Sequence, residues 1–149
     1  MKNNKGMTLV ELIVALAISA ILLATISGIL YTSLKAFNEI NKSNEDKIIG
    51  DTIYEFVANR ISTASGVEIK DEQTVIINNS DTISINSKGR LLYNGIDLYG
   101  DVFYENRTLS ISVSKNSSDT VNIYVYVFTD NKQSYSVGSV VKMLNYKFE

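Results

Sequence analysis

Between Ile13 and Leu34 the chain carries no charged side chain, and this run constrains its fold more than any other feature. Taken to its apolar limits, the stretch Met7–Leu30 reads MTLVELIVALAISAILLATISGIL, 24 residues. As a helix rising about 1.5 Å per residue it extends about 36 Å, enough to cross a hydrocarbon layer of about 30 Å. It is apolar on all sides rather than along one stripe, which suits lipid or a helix bundle better than the flank of a soluble core. Ser19, Thr25, Ser27 and Gly28 are small enough to let neighbouring helices approach closely. Apart from Lys2, Lys5 and Glu11, every charge falls at Lys35 or later. Two lysines ahead of an apolar span predict a cytoplasmic N-terminus and an exported body. The mean hydropathy of +0.04 therefore averages two unlike parts, an apolar rod and a polar body.

Glu11 is the residue out of place, because a carboxylate inside a membrane span is costly and calls for a cationic partner or access to water. The residues around it form a contiguous pattern: Lys5-Gly6-Met7-Thr8-Leu9-Val10-Glu11-Leu12, followed by the apolar helix. This pattern resembles the processing motif of type IV prepilins and pseudopilins, in which a short basic leader ends in Gly and the mature chain carries Glu at its fifth position. The resemblance spans about the first 35 residues. It implies cleavage between Gly6 and Met7 by a membrane prepilin peptidase, and methylation of the new Met7 amine by the same enzyme. It also implies that Glu11 pairs with the positively charged N-terminus of a neighbouring subunit, a pair that would fix the axial register between rods. Competing readings are a simple signal anchor, a secretory signal cut near Ala20, and the buried helix of a soluble protein. The second leaves Glu11 inside the apolar region, and length and all-round apolarity oppose the third.

Beyond the rod, Tyr31, Leu34, Phe37 and Ile40 keep a rough helical spacing, and Ile49, Ile53, Phe56, Val57 and Ile61 form a second apolar stripe. The polar stretch Asn41–Lys47 between them reads as solvated, and Gly66 as a helix stop. The expected segments are a leader at 1–6, a membrane or filament-core helix at 7–30, an amphipathic continuation at 31–65 and a β-sheet head at 66–149. Many pilins carry Pro in the rod; this chain has none, which leaves Gly28 as the expected weak point of the helix.

After Gly66 the period becomes alternating. Val67–Lys70, Thr74–Ile77, Thr82–Ile85 and Arg90–Tyr93 read as short strands, with Asn94-Gly95 as a hairpin turn. Leu109, Ile111 and Val113 alternate with Ser. Val121, Ile123, Val125 and Val127 define one face of a longer strand, with Tyr124, Tyr126 and Phe128 on the other, and a last strand runs from Gln133 to about Val141. The expected fold class is α+β, a long N-terminal helix whose amphipathic half packs on a C-terminal antiparallel sheet. Because so small a sheet buries little by itself, the helix stripe must complete the core.

Composition narrows the chemistry. There is no Cys or His, which removes disulfides, thiol nucleophiles, imidazole ligands and the usual catalytic triads. With a net charge of −2, nucleic acid is not an expected partner. Asp97, Asp101 and Glu105 read as surface carboxylates; Asp71-Glu72 and Asn78–Asp81 read as turns without calcium-loop spacing. No nucleotide-binding motif occurs, and no cofactor or enzymatic activity is expected. Tyr124, Tyr126 and Phe128 are assigned to subunit packing in preference to a recognition surface.

The second half also has a family likeness. Gly89, Leu92-Tyr93, Leu98, Val102, Tyr104, Tyr135, Val137 and Met143-Leu144-Asn145 resemble minor pilins of the W type and secretion pseudopilins of the J type. The basic residue usual before the closing Asn is either replaced or displaced to Lys142. The resemblance implies a minor pilin or pseudopilin, held in the cytoplasmic membrane with its head exported and then incorporated into a surface filament. Implied partners are other pilin subunits, major and minor, the prepilin peptidase and methylase, an assembly platform and its ATPase, and membrane lipid before assembly. The alternative is a pilus-borne adhesin or a DNA-uptake (competence) pseudopilin with a binding head.

Overall fold

In the computed structural model, which describes residues 8–146, the chain divides into two compact units, Met1–Asn41 and Lys42–Glu149. A single helix, α1 (Leu9–Ser62, 54 residues), contributes to both. The solvated stretch Asn41–Lys47 does not interrupt it. Having no Gly or Pro, that stretch presents no barrier to helix propagation.

In the first unit every described side chain of α1 up to Ile40 is exposed, including Leu12, Leu16, Leu23, Tyr31 and Phe37. The helix is long and apolar enough to cross a membrane, with 0% of its most apolar window buried. Its hydroxyls turn back onto its own carbonyls: Ser19 Oγ donates to Ala15 O, Ser27 Oγ to Leu23 O and Thr25 Oγ1 to Leu22 O, each at 2.8 Å. The rod therefore carries polar atoms without offering unsatisfied donors to an apolar surrounding. It also runs through Gly28 unbroken, and Thr32 Oγ1 donates to the Gly28 carbonyl at 3.2 Å.

The second unit is the α+β head. In it the α1 residues Ile49, Ile53, Val57 and Ile61, spaced at four, form a buried stripe. β1 (Val67–Asp71), β2 (Thr74–Ile77), β3 (Asp81–Ile85), β4 (Leu91–Tyr93) and β5 (Ile96–Asp97) make a five-stranded antiparallel meander. β6 (Thr108–Lys115), β7 (Thr120–Thr129) and β8 (Lys132–Lys142) make a second, three-stranded antiparallel sheet. Where the sequence suggested one sheet there are two. The meander ends in a two-residue strand, and the short helix α2 (Gly100–Tyr104) follows it, so β6 starts a new ladder with β7.

Two hairpins turn on two residues each, Asn94-Gly95 and Asp130-Asn131, all at positive φ, the backbone that a tight hairpin matching strand twist requires. The sheets meet where hairpin tips of the first reach the outer edge of β6: Leu109 N donates to Gly89 O at 3.0 Å and Val113 N to Glu72 O at 3.1 Å. Gly89, at φ +67°, is required there, because a Cβ would stand 2.6 Å from Thr108 Cβ. One core joins the α1 stripe to Val75, Ile77, Ile83, Leu91 and Tyr104 and to the inward residues of β6 and β7. The alternation read from the sequence is borne out: Leu109, Ile111, Val113, Val121, Ile123, Val125 and Val127 are all buried.

Candidate functional site

Gly6 and Met7, the expected processing residues, lie outside the described residues, as do Lys2 and Lys5. The described helix starts directly after them, and its first turn is closed by a reciprocal cap. Thr8 N donates to Glu11 Oε2 at 2.8 Å, and Glu11 N donates to Thr8 Oγ1 at 3.3 Å. The Thr8 hydroxyl adds a third bond, donating to the same Oε2 at 3.0 Å. This is a capping box, in which each side chain satisfies a backbone donor that the first turn leaves open. The positive end of the helix dipole also favours a carboxylate at this position. Glu11 therefore has a partner in its own chain before any neighbour is present. The signal is in the sequence, Thr-x-x-Glu ahead of an apolar run, but a carboxylate in an apolar span reads first as a charge in need of a cation.

A second constellation was not foreseen. In the stretch read as solvated, Asp46 is only 4% exposed, and it faces Arg107, which is also 4% exposed. Arg107 Nε donates to Asp46 Oδ1 at 2.5 Å, Nη2 to Glu45 Oε2 at 2.6 Å and Nη1 to Glu105 Oε2 at 3.1 Å. Thr129 Oγ1 donates to Asp46 Oδ1 at 3.2 Å from the end of β7. The guanidinium thus ties the start of the head's helix to the turn before β6, and Asp46, through Thr129, extends the tie to the end of β7. Burial works against its charge, and the hydrogen bonds to Asp46, Glu45 and Glu105 outweigh that, so its pKa is raised. The cluster is a structural fastener: its carboxylates are occupied by the arginine, and no group of three His, Cys, Asp or Glu suited to a metal ion occurs among the described residues. Sequence reading had little to find here, since Asp46 and Glu45 stand 61 and 62 positions from Arg107.

The other carboxylates weighed from the sequence do not converge. Asp101 pairs with Arg90 at 3.3 Å, Asp97 accepts the Tyr99 amide at 3.2 Å, and Glu105 belongs to the Arg107 cluster. Asp71 accepts the Gln73 amide within its own turn, and Asn78 Oδ1 accepts the Ser65 amide, each at 2.8 Å. Tyr124, Tyr126 and Phe128 share the face of β7 opposite the core; Tyr124 is 44% exposed.

The family description "Prokaryotic N-terminal methylation motif" matches residues 1–27, the segment that holds Lys2, Lys5, the Gly6-Met7 pair, the capped Glu11 and most of the uncharged run. Comparison with curated proteins and with solved structures gives no match. Over these first residues the chain carries the N-terminal methylation motif found in type IV prepilins and pseudopilins, which supports a pilin-like precursor.

Proposed function

We propose that the chain is a structural filament subunit rather than an enzyme, and specifically a minor pilin or pseudopilin. The observation that carries this reading is the first helical segment: an apolar, exposed helix whose only charge before Lys35 is Glu11, directly behind a matched methylation motif. So much exposed apolar surface requires lipid before assembly and other copies of such helices after it. On this reading a prepilin peptidase cuts after Gly6 and methylates Met7. The precursor spans the cytoplasmic membrane once with its head exported, and a platform protein and ATPase lift it into a filament among major and minor subunits.

Glu11 Oε2 is already held by Thr8, and Oε1 makes no hydrogen bond among the described residues. That oxygen would accept the methylated amine of a neighbouring Met7 without giving up the cap. The pair would set the register of a repeating, non-closing contact, the kind that generates filaments. Mass spectrometry of protein from cells that contain the peptidase tests the processing step: a mature chain starting at N-methylated Met7 is expected, and an intact Met1 start refutes it. Glu11→Val tests the pairing step: membrane insertion persists and filament incorporation falls, whereas unchanged incorporation removes the ion pair from the account.

A further inference from the structure

Asn94-Gly95 is the one place in the sequence where an asparagine precedes a glycine. That pair is chemically labile, because a glycine amide has no side chain of its own to hinder its attack on the preceding carboxamide. Both residues are exposed, and both hold positive φ, +52° and +79°. The Asn94 carboxamide is nevertheless held onto the start of β3. Its Oδ1 accepts the Thr82 amide at 2.7 Å, and its Nδ2 donates to Asp81 Oδ1 at 3.1 Å. The main chain reinforces this hold, with Asn94 N donating to Thr82 O at 2.8 Å. The residue before it is packed as well. The Tyr93 ring meets Phe56 of α1 edge-on at 5.7 Å, and the Arg60 guanidinium lies 4.9 Å from its centre. One carboxamide thus ties the β4–β5 hairpin to β3, beside a contact with α1.

Attack by the Gly95 nitrogen requires Asn94 Cγ to swing back over the Gly95 amide, which breaks both side-chain hydrogen bonds to β3. We propose that Asn94 is a spontaneous deamidation site guarded by the closed corner, and that its conversion acts as a one-way latch. When the corner opens, the Gly95 nitrogen gives its proton to water and bonds to Asn94 Cγ. The Cγ–Nδ2 bond breaks, the nitrogen takes up a proton and leaves as ammonia, and a succinimide ring remains. Water then opens the ring at either carbonyl, giving an aspartyl or an isoaspartyl residue at position 94. Nothing is oxidised or reduced, and water is the only co-reactant. The product no longer fits the corner. Where Nδ2 donated to Asp81, a carboxylate now faces a carboxylate, and two like charges at that separation repel. The isoaspartyl form also adds a carbon to the main chain, which a two-residue hairpin turn has no room to absorb. A head that has once opened is therefore marked, whether or not the chain enters a filament.

The test follows the full chain in detergent at mildly alkaline pH. The readouts are mass spectrometry of the peptide that holds Asn94 and enzymatic methylation of isoaspartate. In strong urea this peptide should convert ahead of every other asparagine peptide, and Gly95→Ala should slow it roughly tenfold. In native buffer conversion should be slower than in urea by roughly tenfold or more, because only the opened fraction reacts. Asp81→Ala, which removes one of the two side-chain bonds at an exposed position, should raise the native rate roughly threefold with the circular dichroism retained. Amide exchange reads the latch. Asn94→Asp should leave residues 81–97 exchanging fast while β6–β8 stay protected. Adding Asp81→Asn, which again sets one amide against one carboxylate, should restore the protection. Equal rates in urea and native buffer, conversion at another asparagine ahead of Asn94, a native rate indifferent to Asp81→Ala, or an Asn94→Asp corner as protected as the unaltered one overturns the proposal.

Discussion

Arg107 shows how much a single side chain can hold in this head. Its partner Asp46 has almost no access to water, so losing the guanidinium leaves a buried carboxylate with one hydroxyl for company. Arg107→Met should destabilise the head by about 3–5 kcal/mol, measured by urea unfolding of the full chain followed through its tyrosines. Replacing Asp46 by Leu in the same chain should recover much of that loss, because an apolar pair of similar volume avoids the desolvation cost. Two aspartates at the surface of the head contribute to its response to acid. Hydrogen bonds from Ser117, and then Lys142, hold the Asp119 carboxyl below the ordinary aspartate range, and Asn94 and Tyr93 do the same for Asp81. Their folded pKa values are depressed, so their contribution is present above the unfolded value of about 3.9 and is lost as pH falls through the folded values. Acid titration should therefore loosen the β3–β4 corner and the end of the second sheet where β7 begins and β8 finishes, below about pH 4, seen as faster amide exchange at those strands.

Among elements, α1 shows how one helix answers to different surroundings along its length. At Gly28 nothing lies within 4 Å of where a Cβ would stand, so Gly28→Ala should raise helix stability by about 1 kcal/mol, read as slower amide exchange across residues 24–32. If Gly28 is the point where the rod must yield during assembly, the same substitution will lower filament incorporation. At Gly50 the added methyl would stand 2.6 Å from Tyr135 Cδ1 and 3.2 Å from Val127 Cγ2, so Gly50→Ala should destabilise the head despite the better helix propensity of alanine. Tyr135 is fixed at its far end, donating to Asp51 Oδ1 at 2.8 Å, and has little freedom to retreat. The hairpins behave more locally. Asn94-Gly95 was legible because the turn itself demands those residues, and Asp130-Asn131 makes the same tight turn with two residues that tolerate positive φ.

At the scale of the whole molecule, the rod and the alternating strands were readable because their signals are local: an uncharged run, a period of two, a turn pair. The α+β class, the continuation of the helix and the buried faces of β6 and β7 followed from them. Thr8 and Glu11 were equally local, and their cap was missed only because the carboxylate was read as a charge in need of a cation. The split into two sheets, the Arg107 fastener, the need for glycine at Gly89 and Gly50, and the hold of β3 on Asn94 were not readable in this way. Each depends on residues brought together from distant positions, such as Arg107 with Asp46 and Asn94 with Thr82. The sequence alone determined that a methylation motif leads into a membrane-length apolar helix, because motif and hydropathy are properties of neighbours along the chain. Only the tertiary structure decided which charge is buried and which face is left open, because burial and register are properties of neighbours in space.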